Sequence, residues 1–290
     1  MISWDVKTQS LNTELAQHSQ WPVPASGLTL QCPEENFPVV AALSDIIRYC
    51  NDRIQLTQVP DYQGAENGLQ FENNGTVTKV GAAVDAGLVP FQKAVDAGVD
   101  LLIVHHGLFW DPAYPITETR YQKYKFCIEN NLAVYSAHLP LDCHREIGNN
   151  ALLAKELQLK TLNWFLEFEG NHIGLIAEGG IDRNEIKQRL SDLFSDGITS
   201  IEKGSNCPQK IAVVSGSGAS AISHLSDAGV DTLITGEVKQ NSFNQAEEAG
   251  LNLYLCGHYA TETFGVAALA GEVAGKFDLE WEFIKTDCPL

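Results

Sequence analysis

One α/β pattern occurs twice in this chain. KVGAAVDAGLVPFQKAVDAGVDLLI (79–103) aligns without gaps to KIAVVSGSGASAISHLSDAGVDTLI (210–234), at an offset of 131 residues. The pentapeptide DAGVD recurs unchanged at 96–100 and 227–231. Alone, it is a common helix-to-strand turn, with Gly ending the helix. That does not account for the whole shared order of strand, helix, DAGVD, strand, helix, strand, His. The order is completed by NNLAVYSAH (130–138) in one copy and AGLNLYLCGH (249–258) in the other. Short apolar runs alternating with amphipathic stretches indicate parallel strands joined by helices. The expected fold is therefore α/β: two similar halves, from an internal duplication, around a central cleft.

The copies set the expected boundaries. Residues 1–38 are polar and turn-rich, with WPVP at 21–24, and read as an appended N-terminal arm. Residues 39–160 form the first half. It opens with an amphipathic helix over 39–53, where Val40, Leu43, Ile46, Ile47 and Cys50 share a face. A loop containing Pro60, Gly64 and Gly68 follows. Strands are expected at 77–84, 100–105 and 132–137, and helices at 89–97, 118–130 and 147–158. Residues 161–208 form a small α+β middle segment, with strands at 164–168 and 172–179 and a helix at 182–194. The second half, 209–290, has strands at 211–215, 231–235 and 252–256 and helices at 219–228, 241–249 and 260–275. A strand at 279–284 closes that half.

Charge excludes several partners. With 37 Asp and Glu against 19 Lys and Arg, the formal net charge of −18 repels nucleic acid and anionic lipid. No stretch approaches the roughly 18 apolar residues of a membrane span, and MISWDVKTQS does not have the shape of a signal peptide. The expectation is a cytoplasmic protein with no nucleic-acid or membrane partner. Seven scattered Cys without a CxxC pair read as reduced thiols.

Three segments carry the chemistry: LLIVHHGLFW (101–110), YSAHLPLDCH (135–144) and LCGHYATETFG (255–265). Each is an apolar run followed by imidazole or carboxylate, so each strand delivers a side chain at its C-terminal end, where open α/β sheets bind ligands. His105 and His106 would face opposite ways on a regular strand. Both reach one site only where the chain turns, and Gly107 supports a turn there. Alone, the pair also suits ordinary core or surface imidazoles. His258 and Glu262 share a helix face at i, i+4 spacing, a common way to hold a divalent cation; a solvated His–Glu face is the alternative. Asp142 is a candidate ligand or a helix cap. His138, four residues earlier, supports the ligands or holds substrate, and His144 is a weaker candidate. Glu237 in TGE (235–237) occupies the place that VHH has in the first copy, which makes it a candidate acid or base. SGSG (215–218) is a close-packing turn or, less simply, a phosphate cradle.

Taken in order, IVHHGLFW, AHLPLD, SGSG, ITGEVK and GHYATE resemble the NIF-three-like proteins, the GTP cyclohydrolase 1 type 2 family. The resemblance runs from about residue 39 to the C-terminus and includes GLQF (68–71). It implies two similar halves around a cleft and a dinuclear metal centre held by His105, His106, Asp142, His258 and Glu262. It also implies a homohexamer, a trimer of dimers with the sites facing inward. The large extra domain of some members has no room in the roughly 45 residues between the halves. The functional expectation is a dinuclear metal-dependent hydrolase, GTP cyclohydrolase type 2-like, acting on a small nucleotide-like or phosphorylated molecule. Its two divalent ions would be Zn, Fe, Mn or Ni, and His138 or Glu237 would move protons. The alternatives are a non-catalytic metal-binding regulatory or interaction protein and a metal chaperone.

Overall fold

The structure, a computed structural model, describes residues 39–110, 114–286 and 288–289. In chain order its first elements are β1 (Ala41–Ala42), α1 (Leu43–Arg53), β2 (Gly68–Phe71), β3 (Thr76–Val77), β4 (Lys79–Asp85), α2 (Leu88–Asp96), β5 (Leu101–His106), α3 (Glu118–Glu129), β6 (Ala133–Ser136), α4 (Leu139–Asp142) and α5 (Asn149–Glu156). Then come β7 (Thr161–Phe168), β8 (Asn171–Glu178), α6 (Arg183–Leu193), β9 (Thr199–Glu202), β10 (Lys210–Ser217), a 3-10 turn (Ala219–Ala221) and α7 (Ile222–Leu225). The last are β11 (Thr232–Glu237), α8 (Ser242–Ala249), β12 (Asn252–Leu255), α9 (His258–Thr261), α10 (Thr263–Phe277) and β13 (Glu280–Phe283).

A five-stranded sheet has the order β13-β4-β5-β6-β2, and a six-stranded sheet the order β7-β8-β10-β11-β12-β9. Each is built on three parallel strands, β4-β5-β6 in one and β10-β11-β12 in the other. These strands read as nearly continuous apolar runs because helices cover both faces of each sheet. On the first sheet, α1 and α10 fill one core cluster and α2 and α3 the other. On the second, α5 and α6 fill one and α7 and α8 the other.

The two copies share their strand register until β10 shifts after Val214. Val80 pairs with Leu101 as Ile211 pairs with Thr232. Gly98 and Gly229, the glycines of the two DAGVD turns, have φ of +76° and +66°, a conformation that L side chains rarely adopt. Lys79 Nζ donates to the Ala97 carbonyl as Lys210 Nζ donates to Ala228. In each turn the aspartate carbonyl accepts from the third parallel strand, Asp100 from Ala133 and Asp231 from Asn252.

The halves also exchange elements. Helix α5 follows the first copy in sequence but packs on β8 and β10 of the second sheet. Helix α10 follows the second copy but packs on β4 and β5 of the first, and the two helices touch. The strands after them cross over too. β8 joins β10 and carries β7 with it, while β13 runs parallel to β4. Strands β7, β8 and β9 of the middle segment thus complete the second sheet, and the final strand closes the first sheet rather than the second. The reason is physical: open sheet edges must be paired or covered, and pairing is decided by neighbours in space. Helix α1 begins at Leu43, not 39, because Ala41–Ala42 pair with Thr76–Val77. The expected arm at 1–38 lies outside the described residues. Among the described residues no helix is long and apolar enough to cross a membrane.

Candidate metal centre

The C-terminal ends of the parallel strands in both sheets converge on one cluster. β5 delivers His105 and His106, whose ring centroids lie 4.8 Å apart. His138 precedes α4, and Asp142 ends it. His258 opens α9, and Glu262 follows its last residue. The helices α4 and α9 are each a single turn, wedged between a strand end and a crossing helix. They bring together residues four apart in the chain.

Glu262 is the hub. Its Oε1 lies 3.2 Å from His258 Nε2 and 3.6 Å from His105 Nε2, and its Oε2 lies 3.3 Å from His106 Nε2. Asp142 Oδ2 lies 3.3 Å from His105 Nε2. Among the described residues, three overlapping groups could hold a metal ion: His105, Asp142 and Glu262; His106, His258 and Glu262; and His105, His106 and His138. The donors fit a cation. Two ligands each about 2.1 Å from one ion at a tetrahedral angle are about 3.4 Å apart, which is the spacing observed. His105 Nε2 and Glu262 Oε2 are buried with no hydrogen-bond partner among the described residues, a costly state that a coordinated ion relieves.

An outer ring fixes each imidazole by its far nitrogen. His106 Nδ1 lies 2.8 Å from Asp85 Oδ1, His138 Nδ1 2.9 Å from Asp61 Oδ1, His258 Nδ1 3.0 Å from Glu237 Oε1, and His105 Nδ1 2.8 Å from the Ala137 carbonyl. Such contacts set the tautomer and turn Nε2 toward the centre. Asn149 Nδ2 donates to Asp142 Oδ1 at 2.7 Å, and Ser215 Oγ lies 3.4 Å from the same oxygen. Five carboxylates thus surround four imidazoles. Among the described residues no Lys or Arg pairs with any of the five. The net negative field favours cations.

The cluster gathers the five sequence-predicted ligands and adds His138 to their range. Glu237 sits behind His258 rather than facing His105. His144 is turned away, held by Arg53 and by the backbone of Glu146 and Ile147. His172 and His224 join none of the three groups. SGSG acts as a close-packing turn: Gly216 has φ +60°, and a Cβ there would lie 2.2 Å from Glu262 Oε1. Sequence reasoning missed Asp61, Asp85, Asn149 and Ser215. Asp85 had a readable signal, since it ends the strand that pairs with β5, in register with His106. Asp61 had none, because it comes from an irregular loop.

The sequence profile of the Duf34/NIF3 (NGG1p interacting factor 3) family matches residues 41–289. The chain belongs to this family. A GTP cyclohydrolase 1 type 2 homolog of Deinococcus radiodurans is 36% identical over 244 residues, covering 83% of this chain and 91% of that protein. One from Borreliella burgdorferi is 39% identical over 219 residues, 75% of this chain and 87% of that one. The crystal structure of TTHA1606 from Thermus thermophilus superposes with a TM-score of 0.77 at 35% identity, covering 86% of this chain and all of that one.

In this NIF3-family chain the electrostatics follow from the geometry. Burial lowers the proton affinity of His105, but Asp142 and Glu262 overcome it and hold the imidazole well above its usual range. His258 is raised to about 9, first by its hydrogen bond to Glu262. Burial would raise the Glu262 carboxyl, yet the imidazoles keep it far below the usual range. Burial also pushes the Cys143 and Cys256 thiols up to about 12, and neither joins the cluster. A group raised on folding stabilises the fold below its unfolded value and stops doing so above its folded one. The metal-free protein should therefore lose stability as pH rises from 6.5 to about 9 through His258. Ion affinity should rise over the same interval, about tenfold per pH unit for each proton displaced. Urea melts of metal-free protein and competition titrations across pH check both signs; melts that gain stability over that interval would refute the protonated cluster.

The outer carboxylates make a separate expectation. Asp85→Asn should weaken ion binding about 10- to 100-fold without loss of structure, because His106 keeps its place but loses the carboxylate charge that raises its basicity as a ligand. Unchanged affinity in a chelator competition would show that His106 is not a ligand.

Proposed function

We propose that this protein is a dinuclear metal-dependent hydrolase acting on a small nucleotide-like or phosphorylated molecule. The observation that carries the reading is the sharing of Glu262 by two ligand groups, one completed by His105 and Asp142 and the other by His106 and His258. When bound, two divalent cations supply Lewis acidity and lower the pKa of water. The chain's own residues do the rest. Glu262 spans both groups and holds them at a fixed separation. Asp142, clamped by Asn149, anchors the buried side. His106 and His258 are partly exposed, at 23% and 30%, and form the face that a substrate meets. Proton transfer falls to His138, whose Nδ1 is committed to Asp61, or to Glu237, whose carboxylate is about half exposed.

The names of the curated relatives support a nucleotide as first substrate to try. The test is to purify the full chain without chelator, measure its metal content, and screen nucleotides and phosphoesters. Turnover lost with chelator and restored by metal supports the reading, and a metal-loaded protein that turns over none of them refutes it. The exposure of His106 and His258 also suits a metal carrier, which must release an ion. Exchange of one ion within seconds, without turnover, would favour that alternative. The inward-facing hexamer belongs to the same proposal. Light scattering on the intact chain should give six subunits, and a monomer would refute the ring.

A further inference from the structure

Two large aromatic side chains, Trp110 and Tyr62, lie against His138 at the cluster. The Trp110 ring centroid lies 5.1 Å from that of His138, at an interplanar angle of 79°, and 6.3 Å from that of His106. Its indole N–H donates to the Gly107 carbonyl at 2.9 Å, which holds the ring against the turn after β5. Tyr62 lies 6.0 Å from His138 and packs edge-on against Phe168 at 4.8 Å, so the end of β7 supports it from behind. Its position is tied to the cluster, because Asp61 accepts from both the Tyr62 backbone N–H and His138. Trp110 and Tyr62 nevertheless remain 39% and 48% exposed. Exposed apolar rings cost free energy unless something covers them. Phe109, next in the chain to Trp110, makes the contrast: it turns away and packs on Phe71 and Tyr124. Of these two neighbours, Trp110, beside the imidazoles, is the one that keeps an open face.

We infer that Trp110 and Tyr62 form a slot that grips a planar unsaturated ring by stacking and presents its edge to the cluster at His106 and His138. This deepens the hydrolase reading and rests on it for the fate of the ring. It names the substrate class as ring-bearing rather than as any phosphoester. Stacking on an aromatic face tolerates any base, because each has a π-face. The ring identity would then be set by edge contacts, and the slot itself selects planar rings over saturated ones.

The test uses the metal-loaded full chain and three probes: GMP, UMP and ring-free glycerol 3-phosphate. Binding is read by calorimetry, with metal content measured on every variant. Trp110→Leu and Tyr62→Leu should each weaken GMP and UMP by about fivefold to a hundredfold, leaving glycerol 3-phosphate and metal content unchanged. Trp110→Phe, which keeps a ring, should retain most of the binding and guards against a folding defect in the leucine variant. Nucleotide binding that is absent from the wild type, or equal in wild type and leucine variants, would overturn the slot. So would a change of oligomeric state in Trp110→Leu, which would make that ring a subunit contact. Nucleotides held by the slot without turnover would uphold it and sink the hydrolase reading. Turnover of glycerol 3-phosphate alone would do the reverse.

Discussion

Glu262→Gln is expected to yield a folded protein that holds neither ion, whereas Asp142→Asn loses one and keeps the other. The difference follows from position. Glu262 offers one oxygen to His105 and His258 and the other to His106, so both proposed ligand groups depend on its charge. Asp142 faces only His105, and its other oxygen is held by Asn149. The amide of Gln keeps the shape but removes the charge, leaving His106 and His258 with no carboxylate and His105 with Asp142 alone, too few anionic donors to hold an ion in either group. The fold should survive, because the four apolar cores contain none of these residues. A ligand lost without unfolding is the behaviour of an open rather than a structural metal site. Elemental analysis and circular dichroism on the two variants decide it. Full metal in Glu262→Gln would end the dinuclear assignment, and equal loss in both variants would end the claim that Glu262 is shared.

Gly216→Ala should be nearly as damaging through one added methyl group. At φ +60° an L side chain costs about 1–2 kcal/mol. The new Cβ would also meet Glu262 Oε1 at 2.2 Å and His258 Nε2 at 3.1 Å. Gly216 is itself pinned, its N–H donating to Thr261 Oγ1 at 2.9 Å, so the strand cannot simply back away. Glu262 must move and lose its reach to one imidazole. Denaturation of the metal-free variant should show a loss of about 1–3 kcal/mol, and its metal content should fall well below that of the wild type. Wild-type metal content would mean that the backbone yields and that the glycine is not what admits the carboxylate.

How far residues could be read depends on what they answer to. Glu262 was legible because it stands four residues after His258, and His105, His106, Asp142 and His258 because each follows an apolar run. A polar group there has few uses other than a cap or a site. Glu237 was legible as a neighbour of the site, through its place in the second copy, but not as the residue behind His258. That role depends on where the α9 turn puts the ring. Asp61 and Tyr62 were illegible: they sit in a loop whose course is set by Asp61 binding His138 and the backbone of Leu139. The meaning of SGSG was hidden for a similar reason. A glycine allowed by a turn and a glycine required by a facing carboxylate look the same in sequence.

Local pattern determined the repeated α/β units, their strand ends and the chemical character of the site. Hydrophobic periodicity and turn glycines act within a few residues and are written in the order of the chain. Tertiary structure alone decided which sheet each crossing element joins. It sends α5 with β7 and β8 to the second sheet, and α10 with β13 to the first. That exchange brings the chain segments bearing Asp142 and Glu262 to face each other between the sheets. Pairing an open strand edge and covering an apolar sheet face gain the same free energy from any partner of the right pattern. The choice among partners is therefore made by the packing of the whole chain, and the cluster of imidazoles and carboxylates exists only once that choice is made.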